Sequence, residues 1–206
     1  KKIRRSLIFI INDGSNKGLH IFKFLRKNRI NIVNIKNKKG KGNAIKVSLK
    51  IAFKKKLSFA IFADADGQHS DQDILKLFHY GNSKRFDKNK VIVTQRKFSN
   101  QMPFFSKFGN KVSSKLINIL FKMDLIDTQC GLRLIPIKFF KQFTYFKNND
   151  FDFEMICLIE AIKQDSLNSK IFIRSIYKKD RISYFNKVLD SYKIIKQIIL
   201  RKIYDI

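Results

Sequence analysis

Two uninterrupted apolar runs, LIFII at 7–11 and LSFAIFA at 57–63, constrain this chain more than anything else in it. Each reads as a strand covered on both faces, the pattern of a parallel sheet rather than of a half-solvated antiparallel one. Helical spacing of apolar residues fills the intervals at 17–28 and 43–55, with a short strand INIVNI at 30–35 between them. After the second run, Ser70 followed by Asp73 has the form of a capping box and opens a further helix, and KVIVTQ at 90–95 is the next strand. Strand–helix alternation of this kind predicts a doubly wound α/β domain with right-handed crossovers. The rest of the chain reads as a long helix near 104–122, a loop over 125–136, a helix over 151–164, a strand over 170–177 and a basic terminal helix from about 187. With 206 residues, 44% of them hydrophobic, and no internal repeat or linker composition, a single domain over 1–206 is expected.

The chain carries 44 Lys and Arg against 16 Asp and Glu, a formal charge of +28, which raises nucleic acid or an anionic membrane as partners. The basic residues are scattered and are not interleaved with aromatics on one face, so no nucleic-acid partner is expected, and a polyanion-binding module stands as the alternative. Cys130 and Cys157 lie apart, with no CxxC or His at metal spacing, which fits a reducing compartment and supports neither a zinc site nor a disulfide framework. No run is long and uncharged enough to span a bilayer.

In doubly wound sheets ligands bind beyond the carboxyl ends of the strands, where INDGS, ADADGQH and TQRK fall. Asp64 and Asp66, two apart at a strand end, project to one side, and Gln68 adds a neutral oxygen. That set suits Mg²⁺ or Mn²⁺ sharing its shell with a diphosphate; a helix cap plus a solvated turn is the plainer alternative. The loop NKKGKGNA at 37–44 offers Gly40 and Gly42 for close backbone approach, with Lys41 and a helix N-terminus to receive anionic charge. Asp13 and Gly14 sit at the end of the first strand as nucleotide-side candidates or as a simple turn. Asp127 and Arg133 flank a glycine-containing bend, as a functional pair or a structural one.

Taken in order, INDGSNKG, NKKGKGNA, FADADGQHSDQDI, TQRK, DTQCGLRLI, FDFEM and ISYFNKVLDSYKI resemble the motifs of family-2 glycosyltransferases, in the branch of dolichyl- and polyprenyl-phosphate sugar synthases. Asn12, Ser70-Asp71, Gln95 and Lys107 depart from the family's usual residues. The family opens with a strand and a P-x-[YF]-N-E loop, so the resemblance implies that this chain starts at the family's second strand.

The resemblance implies a GT-A (Rossmann-like) fold with a mostly parallel central sheet flanked by helices. It also implies inverting transfer of a sugar from a GDP- or UDP-sugar, with Mg²⁺ or Mn²⁺ held by Asp66, Gln68 and Asp64. On this reading Asp13, Gly14, Lys41, Asp64 and Asp66 bind the nucleotide sugar, and Arg96, Lys107 and Arg133 neutralise a lipid-phosphate acceptor. A phosphate monoester is already largely anionic at pH 7 and needs no strong base; a sugar-hydroxyl acceptor would need one, with Asp127 the candidate. The catalytic set is then Asp127, Arg96 and Arg133. The terminal helix either lies in an anionic membrane interface at the cytoplasmic face, packs on the sheet, or leads into a transmembrane segment.

Overall fold

The computed structural model describes residues 7–15, 19–97, 102–174, 176–177, 186 and 188–204. Parts of the INDGSNKG and ISYFNKVLDSYKI stretches, and Lys187 at the expected start of the terminal helix, lie outside these residues. In chain order the elements are β1 (Phe9–Asp13), α1 (Leu19–Lys27), β2 (Asn31–Ile35), α2 (Lys41–Lys54), β3 (Phe59–Phe62) and α3 (Asp71–Gly81). There follow β4 (Val91–Val93), β5 (Gln95–Arg96), α4 (Phe104–Phe121), β6 (Arg133–Pro136), a 3₁₀ turn over Ile137–Phe139 and α5 (Phe140–Tyr145). The chain continues through α6 (Asp152–Lys163), β7 (Leu167–Asn168), β8 (Phe172–Ile173) and α7 (Leu189–Ile203).

β1 and β2 pair in parallel, β5 pairs with β8 in parallel, and a four-stranded sheet runs in the order β3-β6-β4-β7. The strand β6 corrects the loop expected over 125–136. It is antiparallel to both neighbours, with Arg133 opposite Phe62 on one side and Val93 on the other. Because of that reversal, β6 begins where β3 and β4 end. The 127–133 loop is thereby delivered to the carboxyl ends of those strands.

Alternation along the strands loads both faces of the sheet. Val91 and Val93 join Ile45 and Leu49 of α2, Leu158 and Ile159 of α6, and Ile194 and Ile198 of α7 in one core. Ile92 points the other way, to a second cluster with Leu77 of α3, Leu132, Leu134 and Ile173. Helix α6 is buried from Asp152 to Ile159, as befits a helix with apolar residues all round. Ser70 caps α3 as its sequence predicts: the Asp73 amide donates to Ser70 Oγ at 3.0 Å and the hydroxyl donates to Asp73 Oδ2 at 2.7 Å. Helix α7 is tied to α6 by Arg201, 2.5 Å from Glu160, with its guanidinium over the Phe146 ring.

Candidate active site

The glycine loop between β2 and α2 is positioned by Asp13. Its carboxylate accepts the Lys39 amide at 3.0 Å and the Gly40 amide at 2.8 Å, fixing the loop against the end of β1. Gly40 has φ +100 and Gly14 φ +73, left-handed conformations that favour glycine, and a Cβ on Gly14 would stand 2.7 Å from the Lys38 nitrogen. Helix α2 therefore opens at Lys41, two residues before the expected start, with Gly40 as its N-cap. Its first amides face the same end of the sheet as the 63–70 loop.

Lys41 is the hub of one charged network. Its ammonium lies 2.8 Å from Asp64 Oδ1 and 2.6 Å from Glu154 Oε2. Burial alone would lower the lysine's pKa, but the two carboxylates outweigh it and hold the group above its usual value. Burial likewise pushes Asp64 upward, and Lys41 overrides it, keeping Asp64 well below the usual carboxylate range. Glu154 in turn lies 3.5 Å from Arg133 Nε. The Arg133 guanidinium is otherwise spent on carbonyl oxygens, donating to Cys130 at 3.0 Å, Glu154 at 2.6 Å and Thr128 at 3.4 Å. It braces the loop from beneath.

A second network centres on Asp127, 1% exposed. It accepts Arg96 Nε at 2.5 Å, Arg96 Nη2 at 3.1 Å, the Arg96 amide at 3.1 Å and the Gln129 amide at 3.0 Å, and also the Asn110 side-chain amide from α4. Burial favours the protonated acid, yet Arg96 and these donors hold Asp127 below its ordinary value and Arg96 above its own. Gln95 secures the approach to this network, its Oε1 accepting the Ile126 amide at 2.6 Å and the Asp127 amide at 3.2 Å. Lys107 is half-buried on α4, one turn before Asn110.

The 127–133 loop joins the two networks. Asp127 anchors it to Arg96, Gly131 lies against Asp64, and Arg133 closes it under Glu154. A Cβ on Gly131 would collide with the Asp64 carboxylate and stand 3.1 Å from the Lys41 ammonium. Gly131→Ala is therefore expected to destabilise the fold by about 1–3 kcal/mol, readable in urea unfolding. An unchanged midpoint would show that Asp64 and Lys41 can move aside at no cost. Cys130, in the same loop, is a buried free thiol pushed up to about 11, chiefly by burial.

Strand β3 stops at Phe62, so Asp64 and Asp66 stand in the loop beyond it and strand alternation does not govern their directions. Asp64 turns to Lys41. Asp66 is half-exposed, with Oδ1 accepting the Gln68 amide at 3.0 Å, and the adjacent Gly67, at φ +76, borders open space. Gln68 is buried with Nε2 lacking a partner, and both ring nitrogens of His69, a half-buried residue whose side chain is 2% exposed, lack one too, Nε2 lying 3.9 Å from Asp64 Oδ2. Orphaned polar atoms beside a paired carboxylate mark a place shaped for a polar ligand. Among the described residues no three His, Cys, Asp or Glu side chains come together to hold a metal alone. The donors present fit a hard cation that completes its shell with diphosphate oxygens and water.

Sequence reasoning gave no roles to Glu154, Asn110, Gln95 and Gly131. Glu154 sits within the FDFEM motif, which was its one available signal; the others act through contacts 17 to 67 positions away in sequence.

Comparison with known proteins agrees with this architecture. Residues 4–153 match the family model for glycosyl transferase family 2. An uncharacterized protein of Methanocaldococcus jannaschii is 28% identical over 203 residues, covering 92% of this chain and 85% of the relative. The UDP-N-acetylglucosamine–dolichyl-phosphate N-acetylglucosaminyltransferase of Methanococcus voltae is 29% identical over 168 residues, covering 80% of this chain and 66% of that enzyme, so the chain spans just under two thirds of it. Among solved structures, glucosyl-3-phosphoglycerate synthase from Mycobacterium tuberculosis, in complex with Mn²⁺, UDP and glucosyl-3-phosphoglycerate, superposes with a TM-score of 0.64 at 12% identity, over 96% of this chain and 68% of that one. With a family match that runs from before β1 into α6 and a fold shared across so low an identity, the chain belongs to glycosyl transferase family 2 and has the GT-A fold of a glycosyltransferase.

Proposed function

We propose that this glycosyltransferase moves a sugar from a nucleoside-diphosphate donor to a lipid-phosphate acceptor, inverting the anomeric carbon in a single displacement. One acceptor oxygen forms its bond to that carbon as the bond to the diphosphate breaks, and the diphosphate leaves with the electron pair. The observation that carries the acceptor class is the state of Asp127. A carboxylate paired with Arg96 and held below its ordinary pKa is a poor proton acceptor, so the site suits a nucleophile that is anionic before it arrives. A phosphate monoester meets that requirement at pH 7. The likeness to the dolichyl-phosphate enzyme of Methanococcus voltae supports the same class.

In this reading Asp13 holds the glycine loop, and Gly14 permits it to approach. The start of α2 and Lys41 face the diphosphate, Asp64 stands on the ribose side, and Asp66, with Gln68 beneath it, receives Mg²⁺ or Mn²⁺. The ion, when bound, stabilises charge on the leaving diphosphate as a Lewis acid. Lys107 neutralises the incoming phosphate, while Arg96, paired with Asp127, and Arg133 hold the 127–133 loop beside it. The acceptor would be met at the cytoplasmic face of a membrane, with α7 in contact with it. Among the described residues no helix is long and apolar enough to cross one.

A thermal-shift screen of GDP- and UDP-sugars, with and without Mn²⁺, tests the donor half. One nucleotide class is expected to stabilise the protein only with metal, and Asp66→Ala is expected to abolish that shift. An undiminished shift in Asp66→Ala would remove Asp66 from the metal site. Transfer to polyprenyl phosphate against a free sugar hydroxyl tests the acceptor half, and preference for the hydroxyl would overturn it.

A further inference from the structure

Helices α4 and α7 each carry two faces that the chain treats differently. On α4, Asn110, Ser113, Ser114 and Ile117 are buried; on α7, Asp190, Ile194, Ile198 and Arg201 are. The opposite face of α4, at positions 104, 108, 111, 115 and 119, holds Phe104 (74% exposed), Phe108 (59%) and Ile119 (65%), with exposed Lys111 and Lys115 between them. The same spacing on α7, at 188, 192, 195, 199 and 203, holds exposed Val188, Tyr192 (62%), Ile199 and Ile203 (66%), flanked by exposed Lys196 and Lys202. Both follow i, i+4, i+7, i+11 spacing; on α7 the positions are apolar or aromatic throughout, and on α4 two lysines stand between apolar ends, an amphipathic face in each case.

The two helices lie side by side and run parallel. A Cβ on Gly109 near the start of α4 would stand 3.8 Å from Ser191 Oγ at the start of α7, and Lys202 near the end of α7 lies 5.6 Å from the ring centroid of Phe121 at the end of α4. On α7 the contacting positions 191 and 202 fall between the buried face and the exposed one, and on α4 Gly109 does so while Phe121 continues the buried row of Ile117. The two exposed stripes therefore open in the same direction. Phe105, also exposed, enlarges the patch at its leading end, where the Phe104 ring contacts both Phe105 and Phe108. A shallow groove lined by Lys111, Lys115, Ile119 and Ile126 runs along it.

Charge decides what covers this surface. Helix α4 contains no Asp or Glu, the one carboxylate of described α7 is the buried Asp190, and exposed Asp124 lies past the end of α4. A second copy of this surface would bring lysines against lysines. An anionic lipid headgroup layer receives the lysines while the Phe and Ile side chains enter the acyl boundary. We infer that the paired outer faces of α4 and α7 form a docking surface for an anionic bilayer. The inference deepens the proposed lipid-linked acceptor and rests on that reading for its purpose, but the docking is tested with vesicles that contain no acceptor.

The chain has no Trp, so a single introduced indole reports its own surroundings. Phe108→Trp is expected to shift its emission to the blue on phosphatidylcholine vesicles containing phosphatidylglycerol, and not on phosphatidylcholine alone. Phe24→Trp, on α1 and also exposed, is expected to stay unshifted. Phe105→Ser with Phe108→Ser is expected to weaken sedimentation with the anionic vesicles at least ~10-fold. An unshifted Phe108→Trp, an equal shift in Phe24→Trp, or full binding by the double serine variant would reduce the attraction to diffuse charge and overturn the inference. So would a dimer in light scattering that the serine substitutions dissociate, since the face would then belong to a second copy. Donor binding, read separately, is expected to survive these substitutions, so failure of docking and failure of the proposed function are distinct results.

Discussion

Asp127→Ala is expected to destabilise the protein by about 3–5 kcal/mol, the range for removing one partner of a buried ion pair. For a chain of this size that is a fall in Tm on the order of 10 °C. The size follows from what is left behind. Arg96 keeps a buried guanidinium that has lost two hydrogen bonds to one carboxylate, and the Arg96 amide, the Asn110 side chain and the Gln129 amide lose an acceptor at the same moment. Deleting both charges, as in Arg96→Met with Asp127→Leu, is expected to cost less than Asp127→Ala alone, because no uncompensated charge stays in the core. Urea unfolding of the three variants checks both statements. A single alanine variant within 1 kcal/mol of the parent, by order of magnitude, would mean that water reaches Arg96 and that the pair is not the anchor of the 127–133 loop.

The parts of this fold that were legible in the sequence are those where a local pattern is sufficient. The 57–63 run becomes β3, the helical spacing at 43–55 becomes most of α2, and Ser70 caps α3, because burial on both faces, 3.6-residue periodicity and a cap are properties of neighbouring residues. Strand β6 was not legible. Its four residues begin with a charged Arg133 and end with Pro136, and they form a strand only because β3 and β4 lie on either side. Asp127 shows the same limit at the level of chemistry. Its motif offers a base as readily as a structural acid, and the contact that favours the second, the pairing with Arg96, comes from 31 positions away. On α7 the sequence left packing and membrane contact as alternatives, whereas the helix buries the 190/194/198/201 face and leaves the 188/192/199/203 positions exposed.

Lys41→Met is expected to show the other large effect, with a dependence on pH that identifies its cause. Lys41 separates Asp64 from Glu154, and its loss leaves two carboxylates close together with no cation between them. The side chains retain 21%, 29% and 10% exposure for Lys41, Asp64 and Glu154, so solvent screening brings the expected loss at neutral pH to about 2–4 kcal/mol rather than the full value for a sealed pair. In the parent, Lys41 depresses the folded-state pKa of Asp64. Its contribution is complete above the unfolded-state value of about 4 and fades as pH falls through the lower folded value. In the variant, burial and the charge of Glu154 both push Asp64 upward against the weaker pull of His69 alone, so the folded-state pKa rises above the unfolded one. Stability from the protonated acid is then present at low pH and lost as pH rises through the folded value. The other groups facing Asp64 and Glu154 are His69, 3.9 Å from Asp64, and Arg133, 3.5 Å from Glu154, and both remain in the variant. The gap between parent and variant is thus expected to be wide at about pH 7 and to narrow by at least ~1 kcal/mol at about pH 4, measured by urea unfolding. An equal gap at both values would mean that the methionine disturbs packing at the start of α2 rather than the charge balance of the site.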